Sequence, residues 1–271
     1  MIIVQATGQT CNQFWIYSNY LADTIETHEK FAIWVPDRGF ETFTNLLNSK
    51  YIIYPLYSKR LVNLIGFNIY VNILTRLFCN KYSLSIFKYG INRFTNHSFV
   101  IADVLIKKST FKYQHLDKLI FSFIPSQSIV KNVEGVIRNI KKKNDLIIGI
   151  HLRRGDYKTY QNGKFFYSNL QYSTIIEQVL RIFNNNKLAF LLVSNEEIDR
   201  TVFDKYNCYF SSNSLLAQDL YLLGQSDYIL GPPSTFSAWA SLYNSSPLYF
   251  VENPEFVFSI NDFIDIKSSW F

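Results

Sequence analysis

Short apolar runs alternate with segments of helical spacing along most of this chain. Residues 2–6, Ile-Ile-Val-Gln-Ala, read as a buried strand, and a loop, Thr7 to Asn12, follows. Phe14, Tyr17, Leu21 and Ile25 then recur three or four positions apart, which predicts a helix ending near Glu29. Phe31 to Val35 predicts a second strand, stopped by Pro36-Asp37. Strand, loop, helix, strand is a βαβ unit, so the sheet should be parallel and a helix should start near Asn12. From about residue 40 to 125 the pattern breaks into short helical and irregular pieces that give no clear order. Ile129, Val133, Val136 or Ile137, and Ile140 mark an amphipathic helix that ends in Lys141-Lys-Lys143, where positive charge suits the helix C-terminus.

After Asn144 a second alternation begins. Strands are expected at Leu146–Leu152, Leu188–Val193, Tyr228–Leu230 and Leu248–Val251, with helices over Ile175–Phe183, Leu215–Gly224 and Ser237–Tyr243 between them. The expected fold class is α/β: two Rossmann-like domains, 1–144 and 145–271, facing across a cleft. No internal repeat or low-complexity linker is visible.

Composition changes this picture little, but charge does. Hydrophobic residues make up 48% and charged residues 18%, so the whole chain should fold around packed cores. Residues 1–144 hold 18 Lys and Arg against 8 Asp and Glu, while residues 145–271 hold 9 against 13. A basic first half suits an anionic partner: membrane headgroups, a pyrophosphate-linked acceptor or nucleic acid. A merely solvated basic face explains it equally well, and the lysine run at 141–143 has its own helix-terminal explanation. Leu61 to Cys79 is apolar, but Asn63, Asn68, Asn72 and Arg76 interrupt it, so it reads as a domain helix or at most an interfacial one flanked by Lys59, Arg60 and Lys81. Cys11, Cys79 and Cys208 form no paired pattern, which fits a reducing compartment. Met1–Gln5 is strand-like without a basic leader, so no secretory signal is expected.

Three stretches could carry chemistry. The first is His151-Leu-Arg-Arg-Gly-Asp-Tyr157, directly after an apolar strand. Alternate residues share a face of a strand, so His151 and Arg153 point together, at the end where parallel sheets bind ligands. Arginine offers a planar fork matched to phosphate oxygens. The competing reading is a surface arginine pair bridged to Asp156. The second stretch, Leu230-Gly-Pro-Pro-Ser-Thr-Phe-Ser237, is strand, turn and helix start, so Ser234 or Thr235 would either cap the helix or help its free N–H groups hold an anion. Asp219, on the preceding helix, is either a solvated carboxylate or an acceptor for a nucleotide base or sugar. The third is Gly8-Gln-Thr-Cys-Asn-Gln13, where Gly8 permits a tight turn and Asn12 can cap the helix. It matches neither a dinucleotide fingerprint nor a P-loop. Asp-x-Asp and His-Glu-x-x-His are both absent, so no metal is expected, and a pyrophosphate would rely on Arg153 and Arg154 for positive charge.

In order along the chain, Gly8-x-x-x-Asn12-Gln13-Phe14, His151-x-Arg153-Arg154-Gly-Asp156-Tyr157, and Asp219-Leu-Tyr-Leu-Leu with Ser226-Asp-Tyr-Ile-Leu and Ser234-Thr-Phe-Ser237 resemble the fucosyltransferase superfamily, most closely the bacterial α-1,2-fucosyltransferase family. The resemblance implies a GT-B fold, GDP-fucose as donor, and metal-independent, inverting transfer with no cofactor. It would place Arg153 on the β-phosphate, Arg154 on the turn or the donor, and His151 near the ribose or phosphates. Asp219 would read guanine, Ser234 and Thr235 would meet the pyrophosphate, and Asn12 would reach the donor from the other half. Asp156 is the nearest candidate for the catalytic base, unless it is tied to Arg154. Two features depart from the family: the first loop lacks its Gly-Gly-Leu-Gly-Asn-Gln form, and Pro232-Pro233 and Ala238-Trp239 replace a more aromatic run.

The expected protein is a cytoplasmic glycosyltransferase that moves fucose from GDP-fucose to a saccharide hydroxyl during glycan or surface-polysaccharide assembly, with α-1,2 linkage. Its acceptor could be lipid-linked, with peripheral contact at the inner face of the membrane and no nucleic-acid partner. The alternatives are a GT-B transferase using another nucleotide sugar and a basic nucleic-acid-binding module.

Overall fold

The structure, a computed structural model, describes residues 1–103, 109–184, 186–211 and 215–270. The chain forms two compact units, Met1–Ser126 and Gln127–Phe271.

The first unit begins with β1 (Ile2–Ala6), α1 (Thr10–Thr27) and β2 (Phe31–Ile33), the βαβ unit that the spacing predicts. It continues through α2 (Thr44–Leu47), β3 (Ile52–Ile53), α3 (Lys59–Ile65), α4 (Phe67–Phe78), α5 (Lys81–Phe94), β4 (Ser98–Ala102) and α6 (Leu116–Ser122). Among the described residues its sheet has the order β3-β2-β1-β4 and is parallel throughout. Phe14, Tyr17, Leu21 and Ile25 of α1 are buried, as their spacing requires. Phe14 meets Phe43 edge-on at 4.7 Å and Phe123 at 4.6 Å between ring centres, which fixes the helix against the rest of the unit.

The second unit opens with α7 (Gln127–Lys141), followed by β5 (Leu146–Leu152), α8 (Asn169–Ile182), β6 (Leu188–Ser194) and β7 (Cys208–Phe210). Then come α9 (Leu216–Leu223), β8 (Tyr228–Gly231), α10 (Thr235–Asn244), β9 (Leu248–Phe250) and α11 (Ile266–Trp270). The sheet order is β7-β6-β5-β8-β9, parallel at every pairing. β5 and β6 lie at its centre, covered on both faces, and their near-continuous apolar sequences reflect that position.

The division between units falls before α7 rather than at the 144/145 boundary expected from the sequence. The apolar stripe of α7, including Val133 and Ile140, packs toward β5 and α9, and Lys141 forms a 3.1 Å ion pair with Asp227. A helix follows the core that buries its stripe, not the charge run that ends it.

Candidate active site

The end of β5 is the place to build from. Ile150 and Leu152 are fully buried in the core, which turns His151 and Arg153 to the alternate face. His151 is buried, and its Nδ1 shares a 2.8 Å hydrogen bond with Ser237 Oγ, in the first turn of α10. Its ring lies 4.8 Å from that of Phe236, and Tyr172 donates to its carbonyl at 3.3 Å. Burial first, and then the neighbouring Arg153 charge, push the imidazole pKa down to about 3, so His151 is neutral at working pH. It can orient and hydrogen-bond; it carries no positive charge toward an anion.

β8 approaches so closely that no side chain fits between the strands at Gly231. A Cβ there would lie 2.9 Å from both His151 Cβ and the His151 carbonyl oxygen. Gly231→Ala is therefore expected to destabilise the protein by about 1–3 kcal/mol through forced displacement of the strand end. A thermal melt equal to that of the wild type would contradict this packing.

After Leu152 the chain bends sharply. Gly155 sits at φ +58°, a region costly for other residues, and a Cβ on it would meet Asn195 Nδ2 at 2.9 Å. Asn195, just past β6, accepts from the Arg154 backbone N–H at 2.9 Å and so ties the two central strand ends together. The Arg154 guanidinium donates to the Tyr167 carbonyl and to Asn169 Oδ1, and it lies 5.2 Å from the Phe166 ring centre and 5.5 Å from that of Tyr172. Of the two roles open to it, turn or donor, these are the contacts of a residue that holds the turn.

Arg153 points differently. Its guanidinium forms an ion pair with Asp156 at 2.8 Å and lies over the Tyr157 ring at 5.0 Å. The carboxylate is half-exposed on the short 3-10 turn Gly155–Lys158, so its partner is Arg153, not Arg154 as the sequence suggested. Residues three apart on such a turn lie on one side, which the linear motif does not reveal. Tyr157 in turn donates to the Pro233 carbonyl at 2.6 Å and interacts with Ser234. This stitches the arginine turn to the start of α10.

Ser234 is the N-cap of α10, its hydroxyl accepting from the Phe236 N–H at 3.1 Å. Thr235 is the first helical residue. Capping does not preclude anion binding, because one hydroxyl accepts from only one of the several first-turn amides.

Asp219 lies in the first turn of α9. It hydrogen-bonds Ser211, the residue next to the end of β7, so it too lies at the carboxyl edge of the sheet. Burial raises its pKa to about 6, with the Ser211 bond opposing, and among the described residues Oδ1 has no hydrogen-bond partner. A buried, under-satisfied carboxylate calls for a donor, and the edge N–H groups of a base would supply one.

His151, Arg153, Asp156, Ser234 and Thr235 thus form one cluster at the carboxyl ends of β5 and β8, with Asp219 at the β7 end of the same edge. Asn12 belongs to the first unit. It does not cap α1: the helix begins earlier, at Thr10, with Gln9 at the N-cap position. Asn12 instead folds over Gly8 (φ +81°), where an added Cβ would lie 2.5 Å from its Nδ2. The loop is held by Asp37, which accepts from Thr10 Oγ1 at 2.9 Å and Gln13 Nε2 at 3.2 Å.

Sequence reasoning assigned no role to Ser237, Asn195, Tyr157 or Asp37. Ser237 and Tyr157 stand inside the quoted motifs, and their spacing from Ser234 and Arg153 was the available signal. Asn195 and Asp37 follow the ends of strands β6 and β2 respectively, where a polar residue is easily read as a plain strand stop.

The model of the family described as Glycosyl transferase family 11 matches residues 70–255, which include the whole second-unit cluster and exclude Asn12. No curated protein sequence matches the chain significantly. Among solved structures, the fold is similar to that of fucosyltransferase NodZ from Bradyrhizobium, with a TM-score of 0.57 at 15% identity over 97% of this chain and 98% of that one. It is similar to POFUT1 in complex with GDP-fucose, with a TM-score of 0.54 at 11% identity over 92% and 97% of the two chains. A mutant of Arabidopsis thaliana FUT1 in complex with GDP gives a TM-score of 0.54 at 13% identity over 93% and 71%. At such identities the likeness is one of fold: α/β, GT-B-like, with two Rossmann-like units.

Proposed function

The chain belongs to glycosyl transferase family 11, and from that premise we propose that it transfers L-fucose from GDP-fucose to a saccharide hydroxyl with inversion, forming an α-1,2 linkage. The observation that carries this reading is the strand-end cluster: a buried neutral His151, Arg153 beside it, and the capped start of α10 stitched to both through Ser237 and Tyr157. It offers fixed positive charge and the positive dipole end of α10 where a diphosphate would sit.

The roles follow from the contacts. Arg153 would leave its exposed carboxylate partner to take the β-phosphate, stabilising charge on the departing GDP. Asp156, released from Arg153, is the candidate base for the acceptor hydroxyl. Arg154 holds the turn on which both stand. Ser234 and Thr235 would meet the pyrophosphate, and Asp219 would accept from guanine. The GDP-bound and GDP-fucose-bound relatives of similar fold support this donor class. NodZ, of similar fold, is described as an α-1,6-fucosyltransferase. The α-1,2 assignment therefore rests on the motif resemblance.

The proposed scheme uses arginine and helix-terminal charge instead of a cation. Among the described residues, no cluster of three His, Cys, Asp or Glu could hold a metal ion. Excess EDTA is expected to leave the initial rate within about twofold; loss of activity restored by manganese or magnesium would overturn this charge-handling scheme.

The test of the function is a mass-spectrometric screen of saccharide acceptors with GDP-fucose, run beside other GDP- and UDP-sugars and followed by linkage analysis. A deoxyhexose added from GDP-fucose in α-1,2 linkage is expected. Transfer only from another nucleotide sugar would replace the donor assignment, and a different linkage would replace that part alone.

A further inference from the structure

Between Glu41 and Asp103 the chain carries seven Lys or Arg and no Asp or Glu. This stretch contains α3, α4 and α5, and those helices also carry much of the exposed apolar surface of the first unit. On α4, Phe67, Tyr70, Val71 and Leu74 are buried against the unit, while Ile69, Ile73 and Leu77, four residues apart, form an exposed stripe along the flank, beside Asn72 and Arg76. On α5, Tyr82, Ile86 and Tyr89 recur at the same helical spacing, with Tyr82 82% exposed. On α3, Leu61 and Leu64 are exposed, Leu64 at 78%. Single exposed apolar residues need no explanation, but successive stripes on three consecutive helices do.

Cations accompany each stripe: Lys59 and Arg60 on α3, Arg76 on α4, and Lys81, Lys88 and Arg93 on α5, all exposed. Among the described residues none of the six is ion-paired. Six cations stand beside these stripes against one nearby carboxylate, Glu41, which accepts from Asn68 at 2.8 Å; that balance matches a surface that is apolar beneath and negatively charged on top. Long basic side chains can keep their charges among headgroups while their stems cover apolar surface, and tyrosine suits the same depth.

We propose that α3–α5 docks this protein on an anionic lipid bilayer, with the helices lying in the interface. None of the three helices is long enough by itself to cross a membrane. The helices have 7, 12 and 14 residues, so the longest is about 21 Å against a hydrocarbon core of about 30 Å. α3 and α4 are bent by 114° at Gly66, and one face of α4 is already buried in protein. A second copy is the wrong occupant, because a two-fold contact would set this predominantly basic face against itself. The proposal is independent of the donor assignment.

The test is co-sedimentation of the full chain with vesicles. At ~0.05 M salt the protein should sediment with phosphatidylcholine vesicles containing ~30% phosphatidylglycerol, and not with phosphatidylcholine alone. Salt above ~0.3 M should release most of it, as the Debye length falls below about 6 Å. Two variants separate the components. Reversing Lys59, Arg60, Lys81 and Lys88 to glutamate should weaken vesicle binding at least ~10-fold. Changing Ile69, Ile73 and Leu77 to serine should weaken it by a similar factor, since burial of these side chains would be lost. All seven positions are exposed, so circular dichroism and thermal melting should match the wild type. Equal sedimentation with neutral and anionic vesicles, no sedimentation with either, or variants that bind like the wild type would each overturn the proposal. A dimer abolished by the serine variant, without vesicle binding, would assign the face to a second copy instead.

Discussion

Arg153→Lys is expected to lower the rate of fucosyl transfer by about 100-fold, close to 3 kcal/mol of transition-state stabilisation, while the fold persists. Lysine keeps the charge but loses the planar fork. The neighbourhood accentuates the difference. His151 is neutral and Arg154 is committed to Tyr167 and Asn169, which leaves Arg153 as the guanidinium of the motif placed to meet a departing diphosphate. The lysine ammonium could still reach Asp156, so the loss should appear in the chemical step more than in stability. A variant retaining a third of the wild-type rate with an unchanged melting temperature would refute this role.

Asp219→Asn should weaken GDP binding by about 10-fold or more and, unusually for a functional substitution, raise the stability of the free protein. Burial raises the carboxyl pKa from 3.8 to about 6, so the ionised form is disfavoured in the folded state. The favourable contribution is therefore full below pH 3.8 and is lost as pH rises through about 6. At pH 7.5 the ionised carboxylate costs about 3 kcal/mol, the part that asparagine would relieve. A base edge that donates to the carboxylate reverses the preference, because it stabilises the charged form. GDP affinity should then fall as pH drops through 6, by about tenfold per pH unit below it, with proton release on binding near that pH. Asparagine should remove the carboxylate's share of this dependence, leaving only the share of the GDP terminal phosphate, whose second pKa is also about 6. A pH-independent wild-type affinity between pH 5 and 7 would remove Asp219 from the base site.

The sequence was most legible where one physical constraint acted alone. β5 reads correctly to the residue because a central parallel strand is apolar on both faces, and its seven residues form an almost unbroken run. β3 and β7 have two and three residues, too few for any periodicity. β4, at the sheet edge, is buried only in part. α8 begins at Asn169, earlier than its apolar residues suggested, because its start is set by the capping box of Ser168 and Gln171 rather than by burial. The stretch from 40 to 125 was opaque for a different reason. α4 buries Phe67, Tyr70, Val71 and Leu74 yet exposes Ile69, Ile73 and Leu77 beside Asn68, Asn72 and Arg76, so apolar residues extend past the buried face and blur the helical pattern. What obscured that helix in the sequence is the feature on which the proposed membrane docking rests.

The site was legible in its residue types and less so in its pairings. Strand alternation places His151 and Arg153 correctly on one face, and the hydroxyl block does start a helix. The Arg153–Asp156 pair, the burial of Arg154 among aromatics, and the His151–Ser237 bond depend on how the turn after β5 meets α10, and residues 76 to 86 positions apart decide that meeting.

Calorimetric titration of GDP and UDP into the wild-type protein and the Asp219→Asn variant tests the central claim most directly. The account predicts that the wild type binds GDP at least ~10-fold more tightly than UDP, and that the variant loses most of that difference because guanine is read by a buried carboxylate. UDP bound as tightly as GDP, or a GDP preference untouched by the substitution, would contradict it.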